Sequence, residues 1–264
     1  MQTRALPSAR RSGSGPVTTT AVDAEEAARR AEALLDRLRC LANPDNVAGM
    51  ARYGINPVGT LGVSMPALRG LARELRPLRR ARPELVHDMA ARLWASGVHE
   101  ARILAGLVDV SALVTPEQAD AWVADFDSWD VCDQVCGLFA STPFAWAKVE
   151  QWAGAPEEYV KRAGFVVLCA LAVHDKGAPD QRLIDLLPLV VRESADGRNF
   201  VKKAVNWALR QVGKRSPECH DAALATGEAI LIRHPDSASA RWIARDALRE
   251  LRSDAVLARL AARG

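Results

Sequence analysis

The sequence predicts an all-α protein. Apolar residues recur with the 3.6-residue period of an α-helix in almost every segment after residue 22, and no segment alternates as a strand does. Ala, Leu and Arg, which favour helices, dominate the composition, and runs of β-branched residues are short. The 264-residue chain is 49% hydrophobic and 25% charged, which is typical of a globular protein with a large core.

Fourteen amphipathic segments are the predicted helices, and glycine or proline marks many of the joins between them. The sequence Gly-Ala-Pro, for example, separates two segments at residues 154–156 and two more at residues 177–179. The predicted helices span residues 24–41, 47–53, 65–75, 84–96, 100–113, 116–126, 129–140, 144–152, 157–174, 180–193, 200–212, 218–233, 237–251 and 255–262.

Three of these segments are similar to one another at a fixed spacing. Their basic residues Arg162, Lys203 and Arg245 follow at intervals of 41 and 42 residues. A period of about 40–47 residues is that of HEAT and armadillo helix pairs, which stack into a curved solenoid. The sequence therefore predicts an α-solenoid with a concave face, along which the three basic side chains form a ladder suited to a nucleic-acid backbone.

The remaining composition indicates where such a protein works. The five cysteines are scattered without a CxxC pair, which predicts reduced thiols, mostly in the core, in a cytoplasmic protein. No apolar run approaches the ~20 residues of a membrane span. Residues 1–22 are basic and rich in Ser, Gly, Pro and Thr, which predicts a disordered tail before a single domain of residues 23–264.

Charge is distributed unevenly along the chain. Six arginines between residues 69 and 82 accompany only one acid, and six basic residues between 198 and 215 accompany none. Between them, residues 120–133 contain five aspartates and no Lys or Arg. This pattern predicts a polyanionic partner and an acidic site in its path. The alternative is that acids from elsewhere in the fold balance the two basic helix faces.

The acidic window ends in the sequence Ser128-Trp129-Asp130-Val131-Cys132-Asp133. On a helix, Trp129 and Asp133 lie on one face with Cβ atoms about 5–6 Å apart. An aromatic face beside a carboxylate suits a bound cation. The alternative is structural, with Ser128 as an N-cap, Asp130 as a first-turn acid and Trp129 as a core residue.

Five motifs in order give the chain a family resemblance over residues 47–252. Together they resemble the HEAT-like repeat DNA alkylation repair enzymes, alkylpurine DNA glycosylases of the AlkD type. The motifs are Met50-Ala51-Arg52-Tyr53, Leu61-Gly62-Val63-Ser64-Met65-Pro66-Ala67-Leu68-Arg69, the Ser128–Asp133 sequence, Tyr159-Val160-Lys161-Arg162-Ala163, and Lys203-Ala204-Val205-Asn206-Trp207-Ala208-Leu209-Arg210.

The resemblance implies a monofunctional glycosylase that hydrolyses the N-glycosidic bond of N3- or N7-alkylated purines in duplex DNA. It implies a monomer that uses neither cofactor nor metal, with catalytic residues at Trp129, Asp133, Arg162 and Trp207. Ser64-Met65 stands where relatives often carry a polar or basic pair, and Met65 cannot bind phosphate. The residues expected to contact DNA are Tyr53, Ser64, Arg69, Arg73, Lys203, Arg210 and Arg245.

Two other functions are alternatives to this one. A HEAT-repeat scaffold without catalysis would bind DNA or protein and would not depend on Asp133. An iron-dependent HEAT-repeat hydroxylase would need repeated His-Glu pairs, and the chain contains only His99-Glu100, with four other scattered histidines.

Overall fold

A computed structural model of the protein describes residues 21–262, in which α-helix is the regular secondary structure throughout. Residues 1–20 of the predicted tail lie outside the described part, and the first helix begins at Ala21. The first eight helices are α1 (Ala21–Cys40), α2 (Pro44–Arg52), α3 (Met65–Glu74), α4 (Arg76–Ala81), α5 (Pro83–Ala95), α6 (His99–Val108), α7 (Pro116–Ala124) and α8 (Trp129–Phe139). They continue with α9 (Ala145–Ala153), α10 (Glu158–His174), α11 (Asp180–Ile184), α12 (Leu187–Glu193), α13 (Asn199–Gly213), α14 (Pro217–Arg233), α15 (Ala238–Leu251) and α16 (Asp254–Ala261).

The helices stack in two layers, as the predicted solenoid requires. One layer, called here the site layer, consists of α3, α6, α8, α10, α13 and α15, and each of these helices packs on the next. The outer layer contains α1, α5, α9 and α14, of which α5 packs on α6, α9 on α10, and α14 on both α13 and α15. Alternation of the two layers along the chain confirms the helix-pair repeat.

Side-chain contacts show that the helices of the site layer run in the same direction. His99 Nε2 lies 2.9 Å from Asp130 Oδ2, which joins the first turns of α6 and α8. Arg162 in the first turns of α10 donates to the carbonyl of Phe200 at the start of α13. The N-terminal helix ends therefore lie along one edge of the layer, where their partial positive charges favour anions.

The core between the layers is built largely from the paired helices' apolar faces. Trp94 and Trp122 stack there with ring centroids 4.2 Å apart, and Trp152 packs edge-on against Phe139. Four of the five cysteines are buried and Cys40 is exposed, and all are free thiols. Burial raises the pKa of Cys132 and of Cys169, so these thiols stay protonated. The prediction of reduced core cysteines is confirmed.

The observed helices differ from the predicted ones at three main places. The segment 180–193 forms two helices instead of one, because Pro188 lacks an N–H and its ring would clash with the carbonyl of Ile184. The segment 100–113 ends at Val108, where the buried carboxylate of Asp109 accepts hydrogen bonds from the N–H of Val110 and the side chain of Gln118. Helix α4 was not predicted at all. Within residues 21–262, no helix has the length and apolar character needed to cross a membrane.

Candidate functional site

Hydrogen bonds connect the start of α8 to the loop that follows α2. Ser128 is buried, and its hydroxyl accepts a hydrogen bond from the N–H of Asn56 at 2.9 Å. The Asn56 side chain donates in turn to Asp127 at 2.7 Å, and the Trp129 indole N–H donates to the carbonyl of Tyr53 at 3.0 Å. Ser128 occupies the N-cap position but its side chain does not cap the helix. It orients the loop instead.

Asp133, one turn into α8, forms a two-point ion pair with Arg162 of α10. Arg162 Nε donates to Asp133 Oδ1 at 2.9 Å and Nη2 donates to Oδ2 at 2.8 Å. The third nitrogen, Nη1, donates to the carbonyl of Phe200 at 2.6 Å. Only 7% of the Arg162 side chain and 15% of the Asp133 side chain are exposed. Every terminal nitrogen of the guanidinium is therefore engaged, and the carboxylate is held in one orientation.

Burial raises the pKa of the Asp133 carboxyl, and the guanidinium of Arg162 opposes that rise. A guanidinium offers only donors, so both oxygens of the Asp133 carboxyl act as acceptors, which favours the ionised carboxylate. The neighbouring Tyr159 is also partly buried, which raises its pKa to about 12 and keeps its hydroxyl neutral. Because Tyr159 is neutral, Asp133 supplies the negative charge beside Arg162 in the site layer.

Phe200, which the sequence did not single out, lies at the start of α13, where its carbonyl accepts from Arg162. Its ring stacks on Tyr159 with centroids 5.7 Å apart. A Cβ atom at Gly54, where φ is +79°, would lie 2.5 Å from the Phe200 ring, so only glycine permits the loop to approach this closely. The sequence did contain a signal for Phe200, because Phe200 and Tyr159 are the first residues of two of the three similar segments.

Trp207, the residue expected to be catalytic, lies seven residues beyond Phe200 on the same helix. At 1.5 Å per residue, that is about 10 Å further along the α13 axis. Its ring is half-buried and packs against the hydrophobic core. The structure therefore brings Trp129, Asp133 and Arg162 together, with Phe200 beside them at the start of α13 and Trp207 two turns further along the same helix.

A cavity of about 470 Å³ lies beside Trp129, between α2, α3, α6 and α8. Tyr53 and Ser64, both expected to contact DNA, line it together with Met65 and the buried pair of His99 and Asp130. The remaining lining residues are Asp45, Asn46, Gly49, Met50, Ile55, Gly62, Val63, Glu100, Ile103 and Gln134. The cavity is mostly apolar, and its lining includes the carboxylates of Asp45, Glu100 and Asp130, which suits a flat cationic group.

The adjacent residues His99 and Glu100 both have structural partners. Glu100 is buried and accepts hydrogen bonds from three successive backbone N–H groups, those of Leu61, Gly62 and Val63, at 2.8, 2.6 and 3.1 Å. His99 binds Asp130. Within the described residues, no three His, Cys, Asp or Glu side chains are grouped so that they could hold a metal ion.

The basic residues of the two charged segments differ in their surroundings. Arg69 and Arg73 are exposed on α3 and, with Arg76 and Arg79, surround a depression of about 260 Å³ at the C-terminal ends of α3 and α6. In the second segment, acids from outside the segment supply partners, which was the alternative left open. Arg198 pairs with Asp196, Arg215 with Asp180, and both Arg210 and Lys214 with Glu250.

Arg210, expected to contact DNA, is thus held by an acid from α15. The predicted ladder is also incomplete, because Arg162 is buried and engaged whereas Lys203 and Arg245 are exposed. Lys203 and Arg245, like the arginines of α3, are therefore exposed basic side chains of the site layer that can contact a phosphate backbone.

Comparisons with known proteins agree with this architecture. A family model described as DNA alkylation repair enzyme matches residues 34–251. A solved structure aligns with a TM-score of 0.63 and 18% identity over 75% of this chain and 82% of that chain. It is described as a new family of proteins related to the HEAT-like repeat DNA glycosylases with affinity for branched DNA structures. At that identity the likeness shows the fold alone. No match was found among the curated proteins.

Proposed function

The chain belongs to the DNA alkylation repair enzyme family, and from that membership we propose that it is a monofunctional DNA glycosylase for N3- or N7-alkylated purines in duplex DNA. One observation carries the proposal. Asp133 presents an oriented carboxylate at the N-terminal edge of the site layer, next to the indole of Trp129 and held by Arg162. A fixed negative charge beside an aromatic face is what a cationic sugar and a cationic base require.

The reaction needs little from the protein beyond this arrangement. Alkylation at N3 or N7 makes the purine cationic, so the C1′–N bond breaks with its electron pair passing to the base, which leaves neutral. The sugar carbon becomes oxocarbenium-like, as in glycoside hydrolysis. Asp133 stabilises that positive charge and orients a water molecule, whose oxygen bonds to C1′ while its proton passes to solvent. The products are the free base and an abasic site.

Arg162 serves this reaction as a positioning residue. Its two hydrogen bonds occupy one lone pair on each oxygen of Asp133 and leave the others directed away from the guanidinium. Its third hydrogen bond, to the Phe200 carbonyl, ties α13 to the same pair. The carboxylate therefore needs no reorganisation when the positive charge develops. Preorganised charge of this kind is usually the largest single contribution to enzymatic rate enhancement.

The rest of the site layer supports binding of the duplex. Lys203, Arg245 and the arginines of α3 are exposed on helices of that layer. The aligned N-terminal helix ends add partial positive charge along one edge. Together these groups neutralise phosphates without reading base sequence, as a repair enzyme that scans DNA requires.

The deciding experiment is a base-release assay on duplex DNA that carries 7-methylguanine, with wild-type protein and Asp133→Asn. Release by the wild type and its loss in the variant would support the proposal. The second candidate is a DNA-binding protein without catalysis, which is favoured by the fold shared with proteins described as binding branched DNA. It predicts no release by wild type and equal DNA affinity for the two proteins.

A further inference from the structure

Trp242 differs from the tryptophans that fill the core. It lies in the second turn of α15, the last helix of the site layer, and 41% of its surface is exposed. Trp94, Trp122 and Trp152 are at most 5% exposed. The buried residues Ile243, Ala244 and Ala247 mark the face of α15 that packs inward. Trp242 thus lies outside the core, and packing does not account for its large aromatic ring.

The surroundings of Trp242 are basic and concave. The Lys202 ammonium lies 5.4 Å from the centre of the ring, and Lys202 comes from the neighbouring helix α13. A cavity of about 410 Å³ extends alongside the ring over about three turns of α15. The residues around it are Ala238, Arg241, Trp242, Arg245, Asp246 and Arg249.

The charges around this cavity are only partly satisfied by the protein. Asp246, the one acid on its wall, is bound by Arg249, and Arg241 donates to the carbonyl of Pro235 at 2.6 Å. Arg245, exposed between them, has no hydrogen-bond or ion-pair partner within residues 21–262. A ligand that suits this place carries a flat ring for the indole and a negative charge for Arg245.

We propose that Trp242 is a stacking platform for an unpaired nucleobase of bound DNA, with Arg245 and Lys202 contacting the adjacent phosphates. Every base has a π-face, so stacking on an exposed tryptophan in a basic groove is tolerant of sequence. A base inside an intact duplex is not available to the ring, because both of its faces are stacked. The platform therefore selects DNA with a gap, a flap or a branch. This inference rests on the proposed binding of DNA along the site layer.

The spacing of the helices limits where the unpaired base can lie. Trp129 and Trp242 are on α8 and α15, which are three helix-to-helix steps apart in the site layer. At about 8–10 Å per step, the axes of these two helices are at most about 24–30 Å apart. Along a duplex that rises about 3.4 Å per base pair, this corresponds to at most about 7–9 base pairs. A single-stranded segment within that distance of an alkylated purine reaches both positions at once.

The test measures binding by fluorescence anisotropy of two labelled DNAs, a blunt duplex and the same duplex interrupted by a short gap of unpaired thymidines. Trp242→Leu is expected to weaken binding of gapped DNA about tenfold or more and to change blunt-duplex binding less than about twofold. Trp242→Phe keeps a stacking ring and is expected to retain most of the preference. A 2-aminopurine in the gap gives a direct readout, because stacking on the indole quenches it.

Trp146→Leu is the matched control. The Trp146 ring also has a cation against its face, because the Arg182 guanidinium lies 4.2 Å from the centre of the ring. Trp146, however, is on α9 of the outer layer. Each variant is used only at temperatures at which its helical circular dichroism matches that of the wild type.

Equal loss of gapped and blunt affinity in Trp242→Leu, wild-type affinity for gapped DNA, or the same loss in Trp146→Leu would each overturn the inference. Base release is assayed in parallel. Absence of release in the wild type would contradict the proposed glycosylase activity. The binding result for Trp242→Leu would then still test the stacking platform independently.

Discussion

The carboxylate of Asp133 and the guanidinium of Arg162 form a parallel pair of hydrogen bonds, of 2.9 and 2.8 Å, across the interface between α8 and α10. Both side chains are largely buried. The pair therefore has two functions that need to be separated: it holds two helices of the site layer together, and it orients the proposed catalytic charge.

Asp133→Asn is expected to reduce base release from 7-methylguanine DNA by about 10²–10³-fold, since it removes one preorganised charge. Duplex affinity should be unchanged or slightly higher, because a negative charge near the phosphates is lost. Single-turnover release and anisotropy measure the two effects. Wild-type release by a folded Asn variant would end the assignment of Asp133.

Arg162→Ala is expected to destabilise the fold by about 3–5 kcal/mol, because it leaves a buried carboxylate without its partner. The double variant Arg162→Met, Asp133→Leu replaces both charges with apolar side chains and should regain most of that stability. It should regain no base release. Urea denaturation and the release assay on the same preparations check this. Recovery of activity in the double variant would show that the pair is structural only.

The buried pair of His99 and Asp130 predicts a pH dependence of stability. Burial lowers the pKa of His99, but the hydrogen bond and charge of Asp130 outweigh it, so the pKa is raised above 6.5. A raised folded-state pKa stabilises the fold fully below 6.5 and ceases to do so as the pH rises through the folded value. His99→Asn should therefore cost more stability at pH 6 than at pH 8.5. An equal cost at both values in paired urea denaturations would contradict this.

Much of the fold follows from local sequence. The 3.6-residue period, the Gly and Pro joins and the 41- and 42-residue spacing of Arg162, Lys203 and Arg245 predict the stacked helix pairs that the structure shows. The incorrect helix predictions also have local causes. Pro188 divides the predicted helix 180–193 because a proline removes a backbone donor inside a helix, and the apolar pattern on either side of it conceals the break.

The site was less predictable, because it depends on partners that are distant in sequence. Asp133 and Arg162 are 29 residues apart, and Arg210 binds Glu250 from 40 residues away. Charge counts within a segment cannot show such pairs. Phe200 and Trp207 are seven residues apart on α13, and the contact of the Phe200 carbonyl with Arg162 was visible only in the coordinates.

The exposed arginines of α3 are expected to contribute to duplex binding. Arg69→Glu with Arg73→Glu should weaken binding of any duplex sequence and flatten its salt dependence by a slope of about 1 per lost phosphate contact. Arg29→Glu with Arg233→Glu is the control, since it makes the same change of net charge at exposed positions on α1 and α14 of the outer layer. Equal salt slopes for the two double variants would mean that α3 does not face DNA.

Another pair of variants distinguishes Phe200 from Trp207. Phe200 stacks on Tyr159 and its carbonyl accepts from Arg162, so Phe200→Leu should disturb the wall of the site. Trp207 packs against the core about 10 Å further along α13. Trp207→Leu should therefore lower the free energy of unfolding and leave the release rate per folded molecule near that of the wild type.

Trp129→Leu belongs to the same series and tests the other wall. Its indole lies on the helix face of Asp133 and donates to the Tyr53 carbonyl, so its loss removes both the aromatic surface and an anchor of the loop. We expect reduced release with a modest loss of stability, since the ring is only half-buried. Release rates corrected for the folded fraction decide the matter. If Trp207→Leu loses release in folded protein while Phe200→Leu does not, Trp207 is the catalytic residue that the family resemblance implies. Phe200 is then a residue that only packs against the loop.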